Sequence, residues 1–197
     1  MATVFVDFEA SSLGKHGFPV EVAWVFESGD GESHLIRPAP DWTEWAPEAE
    51  AIHRLSLATL RAEGEPHDAV ARRMLDQLEG HDLYASAPSW DGQWLSRLLR
   101  AAGVPRHALR LRDTDEAQER AVAAALDAGG IPAEERAALA ARILDAARHG
   151  DEAAGPPAHR ALADARRELV LWQAVRRRAE DAARSWRAPA GPGARHP

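Results

Sequence analysis

The sequence contains no cysteine among its 197 residues. Disulfides and thiolate-bound metals are therefore excluded, and any bound metal must be held by oxygen or imidazole ligands. Lysine is nearly absent as well, because Lys15 is the single example and arginine supplies the other basic side chains. We attribute this bias to the base composition of the source rather than to a mechanism.

Long apolar runs are also missing. No segment approaches the roughly 20 apolar residues of a membrane-spanning helix, and the N-terminus lacks a basic segment leading into an apolar one. No internal repeat or linker stands out. The sequence therefore predicts one soluble domain over residues 1–186, in the cytoplasm and without a membrane partner. The Pro- and Gly-rich residues 187–197 are predicted to be a disordered tail.

Acidic residues outnumber basic ones, 31 to 24, and the formal net charge is −7. This balance argues against a protein that coats long nucleic acid non-specifically. From His159 onward, however, nine arginines face four acids, which makes this segment about +5 and the rest about −12. A basic C-terminal helix can guide a phosphate backbone, and it can equally be an ordinary solvated helix surface.

The first structured segment is a run of β-branched and aromatic residues, Thr3 to Ala10, which is typical of a strand. Side chains alternate along a strand, so Asp7 and Glu9 project to the same side. Two adjacent carboxylates repel unless something compensates, and a hard divalent cation is the usual compensation. The alternative is an exposed strand end whose polar residues face water.

The remaining pattern alternates strands and helices and predicts an α/β fold. Strands at 20–26 and about 32–37, joined by a hairpin at 28–31, predict an antiparallel meander with the first strand. Two further strands are predicted at 82–87 and 109–112. Helices are predicted at 66–78, 90–102, 115–126, 132–147 and 160–184, with a Gly- and Pro-containing loop from Gly150 to Pro157 before the last one.

Asp91 follows a short strand and a turn of small residues, and Ser89 is a candidate N-cap for the helix that begins there. The position places a carboxylate at the carboxyl end of a strand, where ligands bind in open α/β sheets. Asp91 can alternatively serve the helix N-terminus, where the helix dipole favours a negative charge.

His159 and Asp164 form the third polar element. His159 follows a Pro-Pro loop at the mouth of the last helix, and Asp164 faces inward if Leu162, Leu169 and Trp172 flank the buried side. An imidazole beside a carboxylate-bound metal can take a proton from water near neutral pH. The alternative is an ordinary histidine, because most of the nine histidines have no catalytic role.

Taken together, Asp7-x-Glu9, Asp91 and His159-x-x-x-x-Asp164 resemble the DnaQ-like exonucleases, and more specifically their DEDDh group, which has an RNase H-like core. Three more segments resemble the family in the expected order: 19–25 (PVEVAWV), 52–56 (IHRLS) and 112–114 (RDT). The resemblance spans residues 3 to 178. It implies a mixed five-stranded sheet, with its first three strands an antiparallel meander, flanked by helices.

The resemblance also implies an activity, namely two-metal hydrolysis of phosphodiester bonds from the 3′ end of single-stranded DNA or RNA, releasing mononucleotides. Asp7, Glu9, Asp91 and Asp164 would hold two Mg²⁺ or Mn²⁺ ions, with His159 as the general base. The implied partner is a nucleic acid 3′ end, and a homodimer is a further expectation. Candidates for contacting the substrate are Phe8, Ala10, Leu13 and His53, for which a structural role is the alternative.

Two other functions remain open at this point. A non-catalytic nucleic-acid-binding module can keep the same fold, and a metal-dependent hydrolase of small phosphodiesters can use the same carboxylates. The net negative charge of the protein before His159 is compatible with the hydrolase of small phosphodiesters. The choice between DNA and RNA is also open, because the hydrolytic chemistry is the same for both.

Overall fold

The computed structural model describes residues 1–153 and 155–186, without the side chains of 152 and 153, so the predicted tail at 187–197 lies outside the described residues. The strands and helices follow one another along the chain in this order: β1 Thr3–Ala10, β2 Pro19–Phe26, β3 Gly31–Arg37, α1 Pro47–His53, α2 Leu57–Glu63, β4 Glu65–Pro66, α3 His67–Leu78, β5 Asp82–Ala85, α4 Pro88–Ala101, β6 Leu111–Asp113, α5 Thr114–Ala128, α6 Ala133–Ala153 and α7 Ala161–Ser185.

The strands of the described residues form one mixed sheet in the order β4-β3-β2-β1-β5-β6. The antiparallel meander predicted for β1, β2 and β3 is confirmed, and β5 pairs parallel to β1. The predicted count of five strands is one short. The extra strand, β4, has only two residues, too few for any periodic pattern to reveal it in the sequence.

Alternation along β1 distributes its side chains between two helical layers. Val4, Val6 and Phe8 pack in the large core beneath α3 and α4. Phe5 faces the other way and packs with Leu169 and Trp172 of α7. Asp7 and Glu9 share the face of Phe5 by the same alternation, so β1 aims both carboxylates toward the layer that contains α7.

Three predicted local features are wrong in detail. Helix α4 begins at Pro88 rather than being capped by Ser89, because proline's fixed φ suits the first helical position and the N–H that it lacks would have no partner inside the helix. Leu109 precedes β6 instead of opening it, because the pairing of this strand with β5 begins only at Leu111.

The predicted loop at Gly150 is the third. Helix α6 continues through it to Ala153, since one glycine costs a helix only about 1 kcal/mol. Arg167 of α7 also fastens the end of α6 by bonding the carboxylate and the carbonyl oxygen of Asp151, at 2.6 and 3.2 Å.

Within the described part of the chain, no helix is both long enough and apolar enough to cross a bilayer. The domain boundaries, the cytoplasmic location and the homodimer stay predictions.

Candidate active site

Three carboxylates meet where β1 passes beneath the first turn of α7. Ligand oxygens of Asp7, Glu9 and Asp164 all lie within 4.8 Å of one another. Asp7 and Glu9 come from alternate positions of one strand, whereas Asp164 comes from a helix more than 150 residues later in the chain. The geometry can therefore place three oxygen donors around one point.

Asp91 and His159 complete this group, because both line the same cleft of about 480 Å³. Asp91 lies in the first turn of α4, and its side chain is only 3% exposed. His159 lies at the rim of the cleft and is exposed to solvent. All five residues predicted to carry the chemistry thus border one cavity.

The four predicted substrate contacts divide into two pairs. Leu13 lines the cleft and is 68% exposed, and Phe8 also borders the cleft although it is buried in the core. Ala10 and His53 are buried and do not line the cleft. The Nδ1 atom of His53 accepts a hydrogen bond from the Leu55 N–H at 3.0 Å, which gives that side chain a local structural role.

Burial and mutual repulsion make these carboxyl groups hard to ionise. Burial raises the pKa of Asp7 well above its usual range, and the nearby Asp91, Glu9 and Asp164 carboxylates raise it further. Burial, followed by the repulsion from neighbouring carboxylates, raises the pKa of Glu9 to about 8. Burial raises the pKa of Asp91 to about 7, although backbone hydrogen bonds oppose the change. Near neutral pH the cluster therefore favours protons or a bound cation.

This donor set fits a hard divalent cation. Every candidate ligand in the cluster is a carboxylate, and Mg²⁺ or Mn²⁺ prefers oxygen ligands. A cation would also replace the protons that the raised pKa values of Glu9 and Asp91 favour. Asp7, Glu9, Asp164 and Asp91 are accordingly the residues that could hold such ions.

The segment before α7 is tied to the same carboxylate that would serve the metal. Asp164 accepts hydrogen bonds from the backbone N–H groups of Ala158 and Arg160, at 2.8 and 3.2 Å. Between them, His159 adopts a left-handed backbone with a φ of 55°. Asp164 therefore fixes the turn that presents His159 at the rim of the cleft.

An ion pair between a buried carboxylate and a half-exposed arginine, which the sequence patterns did not reveal, holds this turn against the sheet. Glu21 of β2 is 2% exposed and pairs with Glu9 across the strands. Its carboxylate accepts two hydrogen bonds from Arg160, at 2.9 and 3.0 Å, and one from the Ala161 N–H at 3.1 Å. Because Glu21 and Arg160 lie 139 positions apart, only the folded chain brings them together.

Two more residues of the cleft were missed. Glu168 lines it one helical turn after Asp164, and burial raises its pKa to about 6. Its spacing of four from Asp164 is the signal that would have found it. Trp90 also lines the cleft, is 40% exposed and stacks on Trp94 with a centroid distance of 6.0 Å.

Comparison with known proteins gives matches at the level of structure. No family model matches the sequence, and no curated protein matches it either. Among solved structures, the zinc-bound form of the E. coli exonuclease I–ssDNA complex matches with a TM-score of 0.62 and 20% identity, over 90% of this chain and 40% of that one. A product-bound structure of exonuclease I matches with a TM-score of 0.50 and 19% identity, over 59% of this chain and 31% of that one.

A third match is E. coli exonuclease I in complex with a dA16 oligonucleotide, with a TM-score of 0.50 and 19% identity over 61% of this chain. The chain spans between about a third and two fifths of the length of these exonuclease I chains. At such identities the likeness concerns the fold. It confirms the predicted class, a mixed α/β sheet flanked by helices as in the RNase H-like exonuclease fold.

The raised pKa values predict how stability depends on pH without metal. The unfolded chain loses the Glu9 proton near the usual value of 4.5, whereas the folded protein keeps it up to about 8. Between these values the unfolded state binds fewer protons, so the free energy of unfolding falls as pH rises. Chemical denaturation in a chelator at several pH values between 4.5 and 8 measures this fall, and added Mg²⁺ should reduce it. Stability that instead rises through this window would contradict the buried cluster.

The ion pair between Glu21 and Arg160 yields a second prediction. Arg160→Gln removes two hydrogen bonds from a buried carboxylate, so we expect the free energy of unfolding to fall by about 2 kcal/mol. The matched control is Arg72→Gln, whose pair with Asp68 is solvent-exposed and should contribute less than about 0.5 kcal/mol. Urea denaturation of both variants provides the comparison. Equal losses would mean that the pair with the buried carboxylate has no special role.

Proposed function

We propose that this chain is a metal-dependent 3′–5′ exonuclease that degrades single-stranded nucleic acid to mononucleotides. The observation that carries the proposal is the convergence of Asp7, Glu9 and Asp164 within 4.8 Å, in a cleft that Asp91 and His159 also line. Four carboxylates can hold hard cations through oxygen, and one histidine can accept a proton, which suits the hydrolysis of a phosphodiester.

The similar solved structures support the same class of reaction. They are of exonuclease I, and several contain single-stranded DNA or an oligonucleotide. One is a zinc-bound form and another is product-bound. These properties belong to those proteins, and they favour a nuclease over a hydrolase of small phosphodiesters for this chain.

The residues of the cleft have distinct roles in the proposal. Asp7, Glu9, Asp91 and Asp164 would hold two Mg²⁺ or Mn²⁺ ions, which when bound activate water and stabilise charge on the leaving oxygen. His159 accepts the proton of the attacking water, because its exposed position at the rim lets it exchange that proton with solvent. Asp164 and Arg160 keep the backbone of His159 in place.

The hydrophobic residues at the cleft fit the base of a terminal nucleotide. Trp90 and Leu13 are both exposed and both line the cleft, although large apolar side chains are normally buried. An exposed indole backed by Trp94 offers a stacking surface that accepts any base. Such a platform needs an unpaired base, which is why we propose a single strand as the substrate.

The experiment that tests the function follows hydrolysis of 5′-labelled single strands with Mg²⁺. We expect stepwise shortening, mononucleotide products, resistance of strands blocked at the 3′ end, and no cutting of a circular strand. Asp7→Asn should abolish hydrolysis while leaving the fold intact, because it removes one ligand and one repelling charge. Asp41→Asn, at an exposed position outside the cleft, is the matched control and should keep full activity.

Three results would contradict the proposal. Cutting of the circular strand would indicate an endonuclease. Wild-type activity in Asp7→Asn would remove the metal assignment, and binding without any hydrolysis by the wild-type protein would favour the inactive module.

His159 gives a separate prediction. His159→Asn removes the imidazole but keeps a residue that tolerates the left-handed backbone, so the turn should survive. We expect single-turnover hydrolysis at saturating Mg²⁺ to slow by roughly 10²- to 10⁴-fold, the usual range for a positioned base. Substrate and metal binding should change little. A variant that keeps about a third or more of wild-type turnover would show that another group takes the proton.

A further inference from the structure

The chain between α4 and β6 concentrates positive charge on an otherwise acidic protein. Residues 93–112 include five arginines and no acidic residue. Arg106, His107 and Arg110 of this stretch lie on the loop that connects α4 to β6. We call residues 106–110 the arginine ridge.

The backbone of the ridge forces its cations outward. Leu109 is 5% exposed and packs into the core with the buried side of α4, which anchors the loop. The Ala108 N–H donates to the Pro105 carbonyl oxygen at 3.0 Å and closes a tight turn. Arg106, His107 and Arg110 are consequently exposed around a fixed apolar anchor.

Open grooves lie on both sides of the ridge. One, of about 570 Å³, separates the ridge from Gly92, Leu95 and Ser96 of α4. The other, of about 420 Å³, separates it from the residues around the start of β5. His107 and Arg110 line both grooves, so their charges face space that a ligand can enter.

The charge of the ridge is not neutralised within the described protein. Arg106, His107 and Arg110 have no hydrogen-bond or ion-pair partner among the described residues. Of the described residues lining the two grooves, one is acidic, Asp82. Asp82 is already engaged by Arg112 and Arg120, at 3.1 and 3.3 Å.

The basic C-terminal helix differs in this respect. Several arginines at or along α7 are held by nearby carboxylates: Arg160 by Glu21, Arg167 by Asp151 and Arg176 by Glu180. Their charge is therefore partly cancelled where it stands. Arg166, Arg177 and Arg178 of the same helix are exposed and have no such partner among the described residues, but none of them lines the cleft or the two grooves.

We propose that the arginine ridge binds the sugar–phosphate backbone of a single-stranded nucleic acid whose 3′ end occupies the cleft. Helix α4 joins the two regions, because its first turn supplies Trp90 and Asp91 to the cleft and Gly92 to the groove beside the ridge. A charged groove combined with an aromatic platform is the usual arrangement for binding single strands. That the bound polyanion is a nucleic acid, rather than another polyanion, rests on the proposed function.

The start of α4, at the edge of the cleft, leaves room for such a strand. Ser86, Ala87 and Ser89 are small and exposed at the start of α4. A Cβ atom built on Gly92 would meet no other atom within 4 Å. An acidic protein segment is a poorer partner, because the cleft at the other end of this route would offer it carboxylates and an indole that suits a base.

The test measures binding without hydrolysis. In an Asp7→Asn background with Mg²⁺, a fluorescent single strand of about 12 nucleotides is titrated at several salt concentrations. Arg106→Gln/Arg110→Gln should lower the slope of log K against log salt by about 1.4, since each phosphate contact contributes about 0.7 for a single strand. When the variant and the background bind equally at about 1 M salt, this difference in slope makes the variant bind about 25-fold more weakly at about 0.1 M salt.

The matched control is Arg61→Gln/Arg142→Gln, which makes the same change in net charge at exposed positions outside both grooves. This control should bind as the background does, and thermal unfolding should show all proteins folded. Equal weakening in both pairs, or in neither, would overturn the proposal. Poly-glutamate is titrated in the same way. If it binds as tightly as the nucleic acid strand, and if Arg106→Gln/Arg110→Gln weakens its binding by the same factor, the partner of the ridge is an acidic protein. Binding is read independently of hydrolysis, so an inactive wild-type protein would refute the nuclease function and leave this result standing.

Discussion

Repulsion among carboxylates at the end of β1 is the constraint on which the site depends. Asp7, Glu9 and Asp164 have oxygens within 4.8 Å of one another, and burial raises the pKa of Glu9 to about 8. Such an arrangement is unfavourable for the fold alone, because each charge opposes the others in a region with little water. It becomes favourable when a cation occupies the centre, so stability and function are in opposition in the metal-free protein.

The scaffold keeps this unfavourable group together from two sides. Strand β1 pairs with β2 at Asp7 and Glu9 and with β5 over Thr3 to Phe5, which holds the backbone of both acidic residues in the sheet. On the other side, the buried Glu21 accepts hydrogen bonds from Arg160 and the Ala161 N–H at the start of α7. This pair joins the helix carrying Asp164 to the strand beside Glu9. In the proposed nuclease, a rigid support of this kind would hold the metal-binding carboxylates in the geometry that hydrolysis needs.

The folded protein pairs some of its basic residues with carboxylates and leaves others unpaired, which the sequence does not show. Its clearest basic segment lies after His159, yet Arg160, Arg167 and Arg176 are held by carboxylates in the fold. Arg106 and Arg110 of the arginine ridge, by contrast, have no hydrogen-bond or ion-pair partner among the described residues. Net charge along a sequence counts every ionic group equally, whereas a long-range field comes from those left without a partner. In the proposal, the ridge would bind the strand and the acidic cleft would hydrolyse it.

The sequence by itself determined the features that depend on local periodicity. Alternation along β1 put Asp7 and Glu9 on one face, and the order of strands and helices gave the sheet, the meander and the start of α7. The tertiary structure alone decided which groups meet. It buried Asp91, joined Glu21 to Arg160 across 139 positions, added the two-residue β4 and left the arginine ridge without partners. The physical reason is that periodicity reports which way a side chain points, whereas burial, pKa and ion pairing depend on what the rest of the chain places opposite it.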